Sequence, residues 1–319
     1  MTHKKVYRTP KNFSISSARE FLKEAEEIFT LSNARVEGVE LDTSLTEKAD
    51  IFGQLLLYKF IEYTIHKNCF SSPKTNLKNN YNLKNRLEIT GFLPFVNEFM
   101  NKKTNQLKSD LPVDYNLDWK ESGTLYIAPI VLSQSNDYAE KEEIIYNKIR
   151  EYYDGNSTIV GTITSCISEI GSNFMEHADE QTNSVMVASG NKDFFEIAFA
   201  DTGRGSITTM RKVINQRMDI HDILRRTLER GATSKPGTPH SGAGLWLISQ
   251  YVSFAKGELC IFSEGAYCHQ KGNSIKKGQC GKWKGTIIYV KIPLFKKEDI
   301  SAGKAMLSKQ FNHVKLSLV

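Results

Sequence analysis

Apolar positions recur with helical period over much of this chain, most cleanly from residue 157 to 178. Ile163, Ile167, Ile170, Phe174 and Ala178 mark a side that faces a core. The opposite side carries Glu169, Asn173 and His177 at successive i, i+4 positions, so an acid, an amide and an imidazole point the same way. Such a stripe, taken alone, is equally a solvated helix face. Toward the N-terminus the same periodicity predicts a helix over 17–31, with Ser17 and Glu20 in capping-box spacing and Phe21, Leu22, Ala25, Ile28 and Phe29 turned inward. Val36 to Leu41 alternates as a short strand, and a second box, Ser44 with Glu47, predicts a long helix reaching Asn68.

Residues 71–85 turn polar and read as an exposed loop, a strand and a helix are expected within 87–101, and Thr124 to Leu132 has the continuous apolar run of a buried strand. A charged surface helix follows at 138–153, ended by Asp154-Gly155-Asn156. Strands are then expected at 184–189 and 194–200, a helical stretch at 207–230, a helix at 243–255, and strands at 257–263 and 285–292. Helices and strands segregate into pairs rather than alternating singly. That order predicts an α+β chain: a C-terminal two-layer α/β sandwich, with a mixed or antiparallel sheet under one helical layer, and a smaller mixed α/β N-terminal module. The expected division is 1–140 and 141–319, with the boundary falling between 133 and 156.

Composition narrows the class. A hydrophobic fraction of 40% and a charged fraction of 24% are those of a globular protein, and 319 residues suit two domains of ordinary size. The net charge of +6 permits an acidic partner or nucleic acid but argues for neither, because a solvated basic surface explains it equally. No signal-like start and no stretch near the roughly 20 apolar residues of a membrane span is present, so a cytoplasmic protein is expected. Five widely spaced cysteines suit reduced thiols there.

Two glycine pairs bring chemistry. In "DTGRG", Asp201 ends an apolar strand, and Gly203 and Gly205 follow where the chain must turn sharply. In "HSGAGLWLISQYV", Gly242 and Gly244 lead into an apolar helix, and unpaired amides at a helix N-terminus suit phosphate. No Walker-type phosphate loop, nucleophile elbow or dinucleotide fingerprint is present.

In this order and on these elements, the three stretches resemble the N, G1 and G2 boxes of the GHKL (histidine-kinase-like) ATPases. Glu169, Asn173 and His177 match the first box, Asp201, Gly203 and Gly205 the second, and Gly242, Gly244 and Leu245 the third. "GTIIYVKIP", with Gly285 and Thr286, stands where the family has its last adenine-side strand. The likeness spans about residues 150 to 295. It implies ATP and Mg²⁺ as cofactors: Asn173 holding Mg²⁺, Glu169 activating water or orienting a nucleophile, and Asp201 accepting from the adenine amino group beside Thr286. Gly203 and Gly205 would pass the base, and amides at Gly242 and Gly244 would meet phosphate. Residues 206–241 correspond to the family's mobile lid, rich here in Arg211, Lys212, Arg217, Arg225, Arg226, Arg230 and Lys235, with Lys235 as a γ-phosphate sensor.

No histidine has the context of a sensor-kinase phosphoacceptor, so the chain looks most like stand-alone bacterial members of the family, including relatives of anti-sigma-factor serine kinases. "VEGVELDTSLTEKADIFGQLL" is similar to a STAS-type strand and helix. Three functions stay open: a slow ATPase switch that dimerises with ATP and binds a regulatory protein, a serine/threonine protein kinase, and a non-hydrolysing nucleotide-binding module. Cys260, Cys268, His269 and Cys280 gather in a polar insertion and have zinc-compatible ligand types without C-x-x-C spacing, which leaves free thiols as the simpler reading.

Overall fold

The computed structural model describes residues 4–30, 38–66, 74–75, 80–102, 123–132, 137–177, 184–214, 217–234 and 242–294. The chain is a mixed α/β protein built on a seven-stranded antiparallel sheet. Its strands are β6 (Leu125–Leu132), β7 (Ser184–Gly190), β8 (Phe194–Ala200), β9 (Glu258–Ser263), β10 (Ala266–Lys271), β11 (Ser274–Gln279) and β12 (Thr286–Pro293). They lie in the order β11-β10-β9-β12-β8-β7-β6, every neighbouring pair antiparallel.

Helices α5 (Asp137–Tyr152), α6 (Ser157–His177) and α9 (Gly244–Ala255) cover one face, joined by the short α7 (Ser206–Met210) and α8 (Ile220–Arg226). The sheet was expected under one helical layer, but its second face is covered too. The N-terminal elements do this: β1 (Lys4–Arg8), β2 (Asn12–Phe13), α1 (Ala18–Thr30), β3 (Gly38–Asp42), β4 (Lys48–Ala49), α2 (Ile51–His66), β5 (Lys74–Thr75), α3 (Tyr81–Ile89) and α4 (Phe92–Lys102). Phe52 of α2 meets Tyr289 edge-on at 5.6 Å between ring centres, and Phe29 of α1 meets Trp283 at 4.7 Å. The strand at 125–132, placed by the sequence on the N-terminal side, is hydrogen-bonded to β7 as an edge of this sheet.

Local starts differ from the sequence reading for local reasons. Ser17 closes a turn onto the Ser14 N–H rather than capping with Glu20, and α1 begins just after it. Ser44 donates its hydroxyl to Asp42, which removes it as a helix cap. The helix starts instead at Ile51, where Asp50 accepts the Gly53 N–H at 2.9 Å. Within the expected loop at 71–85, β5 pairs parallel with β3, and Asn80 caps α3 through the Leu83 N–H. The strand expected near 87 is therefore the end of a helix. The polar insertion after β9 is the β10–β11 hairpin.

From residue 51 to 64 α2 is buried on all sides, including an ion pair between Lys59 and Glu62 at 0% exposure whose acid also accepts from Tyr58. None of the helices among the described residues is long and apolar enough to cross a membrane.

Asp50 sits where α2 meets the sheet. Burial pushes its carboxyl up to about 6, against the lowering pull of the Gly53 N–H and with a further push from Glu196. The folded chain therefore holds this proton more tightly than the unfolded chain, and stability falls as pH rises from about 4 to about 6. Asp50→Asn keeps the acceptor and cannot ionise. Its unfolding free energy, measured by urea denaturation, should fall by on the order of 3 kcal/mol less than that of the wild type across that window.

Candidate functional site

Glu169 and Asn173 lie on α6, one turn apart and half-buried. The Asn173 amide donates to the Glu169 carbonyl at 2.9 Å, which commits its N–H to the helix and leaves the carboxamide oxygen without a hydrogen bond among the described residues. The Glu169 carboxylate lies against Gly244, the first residue of α9, and any side chain there would collide with it. Glu169 also stands beside Tyr251 of the same helix. Burial, with Cys166 and then Glu169 adding to it, raises the Tyr251 hydroxyl to about 12. The acid of the first motif and the glycine of the third are therefore in contact.

Phe174 connects the first motif to the second. Its ring stacks on Phe199 of β8 at 5.5 Å and 25°, which sets the Asn173 end of α6 over the strand end that carries Asp201. Asp201 is buried, and its Oδ1 accepts the Gly203 N–H at 2.7 Å and the Thr286 N–H at 3.4 Å. Its backbone N–H donates to the Thr286 carbonyl at 3.0 Å, and its carbonyl accepts the Trp283 indole N–H at 2.9 Å. Gly285, at φ +100°, lets the chain press against this carboxylate and carbonyl. Beside it, the fully buried Thr202 hydroxyl has no hydrogen-bond partner among the described residues. An orphan of this kind costs about 1–3 kcal/mol unless a bound group or water reaches it.

Gly205 opens α7 at φ +86°, packed on Glu264 of the β9–β10 turn. Glu264 in turn accepts the N–H and hydroxyl of Thr208, and so caps that helix. The Thr286 hydroxyl is drawn into the same fastening: with Ser263 Oγ it accepts the Ser206 N–H, both at 3.0 Å. Gly242, at φ +63°, accepts the Gly231 N–H through its carbonyl. Leu245 packs partly buried on the helical-side core. Ala243 at the N-cap of α9 supplies no side-chain cap, and the Glu169 carboxylate lies at that helix end, where the dipole favours negative charge.

His177 is the last residue of α6, and its side chain lies outside the described residues, as does Lys235. The expected helical stretch at 207–230 is two short helices, and α8 lies on β10 and β11 with Ile223 and Leu224 buried. Arg225 and Arg226 pair with Glu229, and Arg230 stacks over Trp246 at 5.3 Å, whereas Arg211 and Lys212 are exposed. Arg230 is thereby held against Trp246 in the first turn of α9.

Of the residues that anchor this loop, Gly285 stands in the motif-bearing stretch "GTIIYVKIP", whereas Ser206, Ser263, Glu264 and Trp283 carried no motif signal. Only the lone tryptophan in the polar run "GKWKG" could have drawn notice. The three cysteines and the histidine of the insertion do not form one cluster: Cys268 belongs to the helical-side core, and Cys260 and Cys280 to the opposite core. The described cysteines are all free and buried. No protein-family model matches this chain, and the comparison with curated proteins gives no match.

Gly285→Ala tests the anchoring of Asp201. Gly155 also has positive φ, +65°, but open space around it. Gly155→Ala should cost about 1 kcal/mol from backbone strain alone. Gly285→Ala should cost about 1–3 kcal/mol more, because its methyl meets backbone. Urea denaturation of the two variants measures the difference, and equal losses would mean that the Asp201 loop yields freely.

Proposed function

We propose that this chain is an ATP- and Mg²⁺-binding regulatory protein of the GHKL type, with slow ATP hydrolysis coupled to the ordering of residues 206–241 and to binding of a regulatory protein. One observation supports it most. Glu169 touches Gly244, while the same helix is stacked through Phe174 onto the strand that ends at Asp201, so three motifs far apart in sequence meet at one end of the sheet.

The donor set fits such a ligand. Asp201 is a buried acceptor for an exocyclic amine, and Thr202 supplies a second polar atom next to it. The carboxamide oxygen of Asn173 suits a hard cation that shares most of its ligands with phosphate and water. Bound Mg²⁺ would neutralise charge on the transferred phosphoryl group. The amides that open α9 favour an anion through their unpaired N–H groups and the helix dipole. Glu169 now lies at that end, and an arriving phosphate would turn its carboxylate toward the water it deprotonates. Arg230, held by Trp246 near the same turn, adds fixed positive charge.

Thermal melts of the full chain with ATP, ADP and GTP, each with and without Mg²⁺, test the binding. ATP with Mg²⁺ at about 100 times its dissociation constant should stabilise by about 2.7 kcal/mol, and GTP by far less. Asp201→Asn should abolish the shift. Glu169→Ala should keep it and eliminate inorganic phosphate release. Melts unmoved by every nucleotide would overturn the reading, and label transferred from ATP to a protein hydroxyl would convert it to a kinase.

A further inference from the structure

On the sheet face turned toward the N-terminal elements, a second polar group stands apart from the glycine motifs. Glu258 and Cys260 are alternate residues of β9, so they share a face, and His269 of β10 lies directly across from Cys260 in the antiparallel register. One ligand-type atom from each, a carboxylate oxygen, the thiol sulfur and an imidazole nitrogen, lies within 4.8 Å of the other two. Glu258 Oε1 and His269 Nε2 are 2.7 Å apart. Cys260 is 2% exposed, whereas the side chains of His269 and Glu258 keep 34% and 22% of their exposure. The trio thus has a closed floor and an open mouth.

We propose that Glu258, Cys260 and His269 form a binding site for a borderline-soft divalent ion, zinc foremost, with the fourth position open to solvent. The assignment is independent of the nucleotide reading. Thiolate, imidazole and carboxylate together suit zinc, and a thiol ligand disfavours Mg²⁺ and Ca²⁺. Bonds of about 2.0–2.3 Å around a tetrahedral ion set ligands roughly 3.3–3.8 Å apart. The acid and imidazole need only open slightly, and the sulfur close in, within the reach of side-chain rotation. Lys291, across from Glu258 on β12, carries its ammonium over the Phe194 ring at 3.8 Å. Binding exchanges the Cys260 proton for the metal, and the proton leaves to solvent.

Cys268 and Cys280 take no part. Cys268 pairs with Ile261 and points to the helical side, and Cys280 follows β11 outside the trio. An ion here would bind β9 to β10 and stiffen the hairpin on which α8 rests.

Full-length protein stripped with chelator and titrated with Zn²⁺ against a competing indicator should bind one equivalent. Affinity should be unchanged in Cys268→Ser and more than about 100-fold weaker in Cys260→Ser and in His269→Ala. Co²⁺ added to the wild type should give a thiolate-to-cobalt charge-transfer band, a reading that does not depend on any variant folding. Absence of that band, stoichiometry well below one, or equal affinity in His269→Ala would overturn the assignment.

Discussion

The burial of both faces of the seven-stranded sheet is the constraint on which the rest of the molecule depends. An antiparallel sheet commonly leaves one face to water and alternates apolar with polar residues. Here β7 is buried at all of its positions, and β12 sends Ile287 and Tyr289 to the N-terminal elements and Ile288 and Val290 to the helical layer. Register is consequently held from two sides, since a slip by one residue would exchange both sets at once. Polar residues inside this sheet must then satisfy each other. Glu196 does so by accepting from Ser189 at 2.7 Å on β7 and from Tyr289 at 2.8 Å on β12, which ties three strands through one carboxylate.

The same constraint explains what the amino-acid pattern could disclose. Continuous apolar runs at 125–132, 184–190, 194–200 and 286–293 are legible because both sides of each strand are buried. Helices α6 and α9 are legible because each buries one stripe. The hairpin strand β11 was not, since "SIKKGQ" is a largely exposed sheet edge with no alternation to detect. The start of α2 was misplaced because Asp42 captures Ser44 and leaves capping to Asp50, a competition between neighbours that spacing alone does not reveal. That the N-terminal elements would cover the sheet was also hidden. An apolar strand does not say which part of the chain lies over it.

Legibility of the candidate site divides in the same manner. Glu169, Asn173, Asp201 and the glycine pairs stand out through their order and spacing on apolar elements, since an acid or a glycine at the end of a strand is ordinary by itself. Their supports are ordinary residues. Ser206, Ser263 and Thr286 share one backbone N–H, and Glu264 caps α7, through contacts between segments far apart in sequence. No local spacing encodes those meetings.

Trp283 joins the N-terminal elements to the Asp201 loop. It is fully buried, its ring lies 4.7 Å from Phe29 of α1, and its indole N–H donates to the carbonyl of Asp201. A buried indole donor without an acceptor would cost about 1–3 kcal/mol, so the Asp201 carbonyl and the tryptophan hold each other in place. Phe29 also packs on Tyr63 of α2 at 4.6 Å, which extends the chain of contact to the helix lying across the sheet. The N-terminal elements therefore act as more than a cover. Through one aromatic residue they brace the loop that presents Asp201, from the side of the sheet opposite Glu169 and Asn173, and a displacement of α1 reaches the Asp201 backbone carbonyl through two contacts.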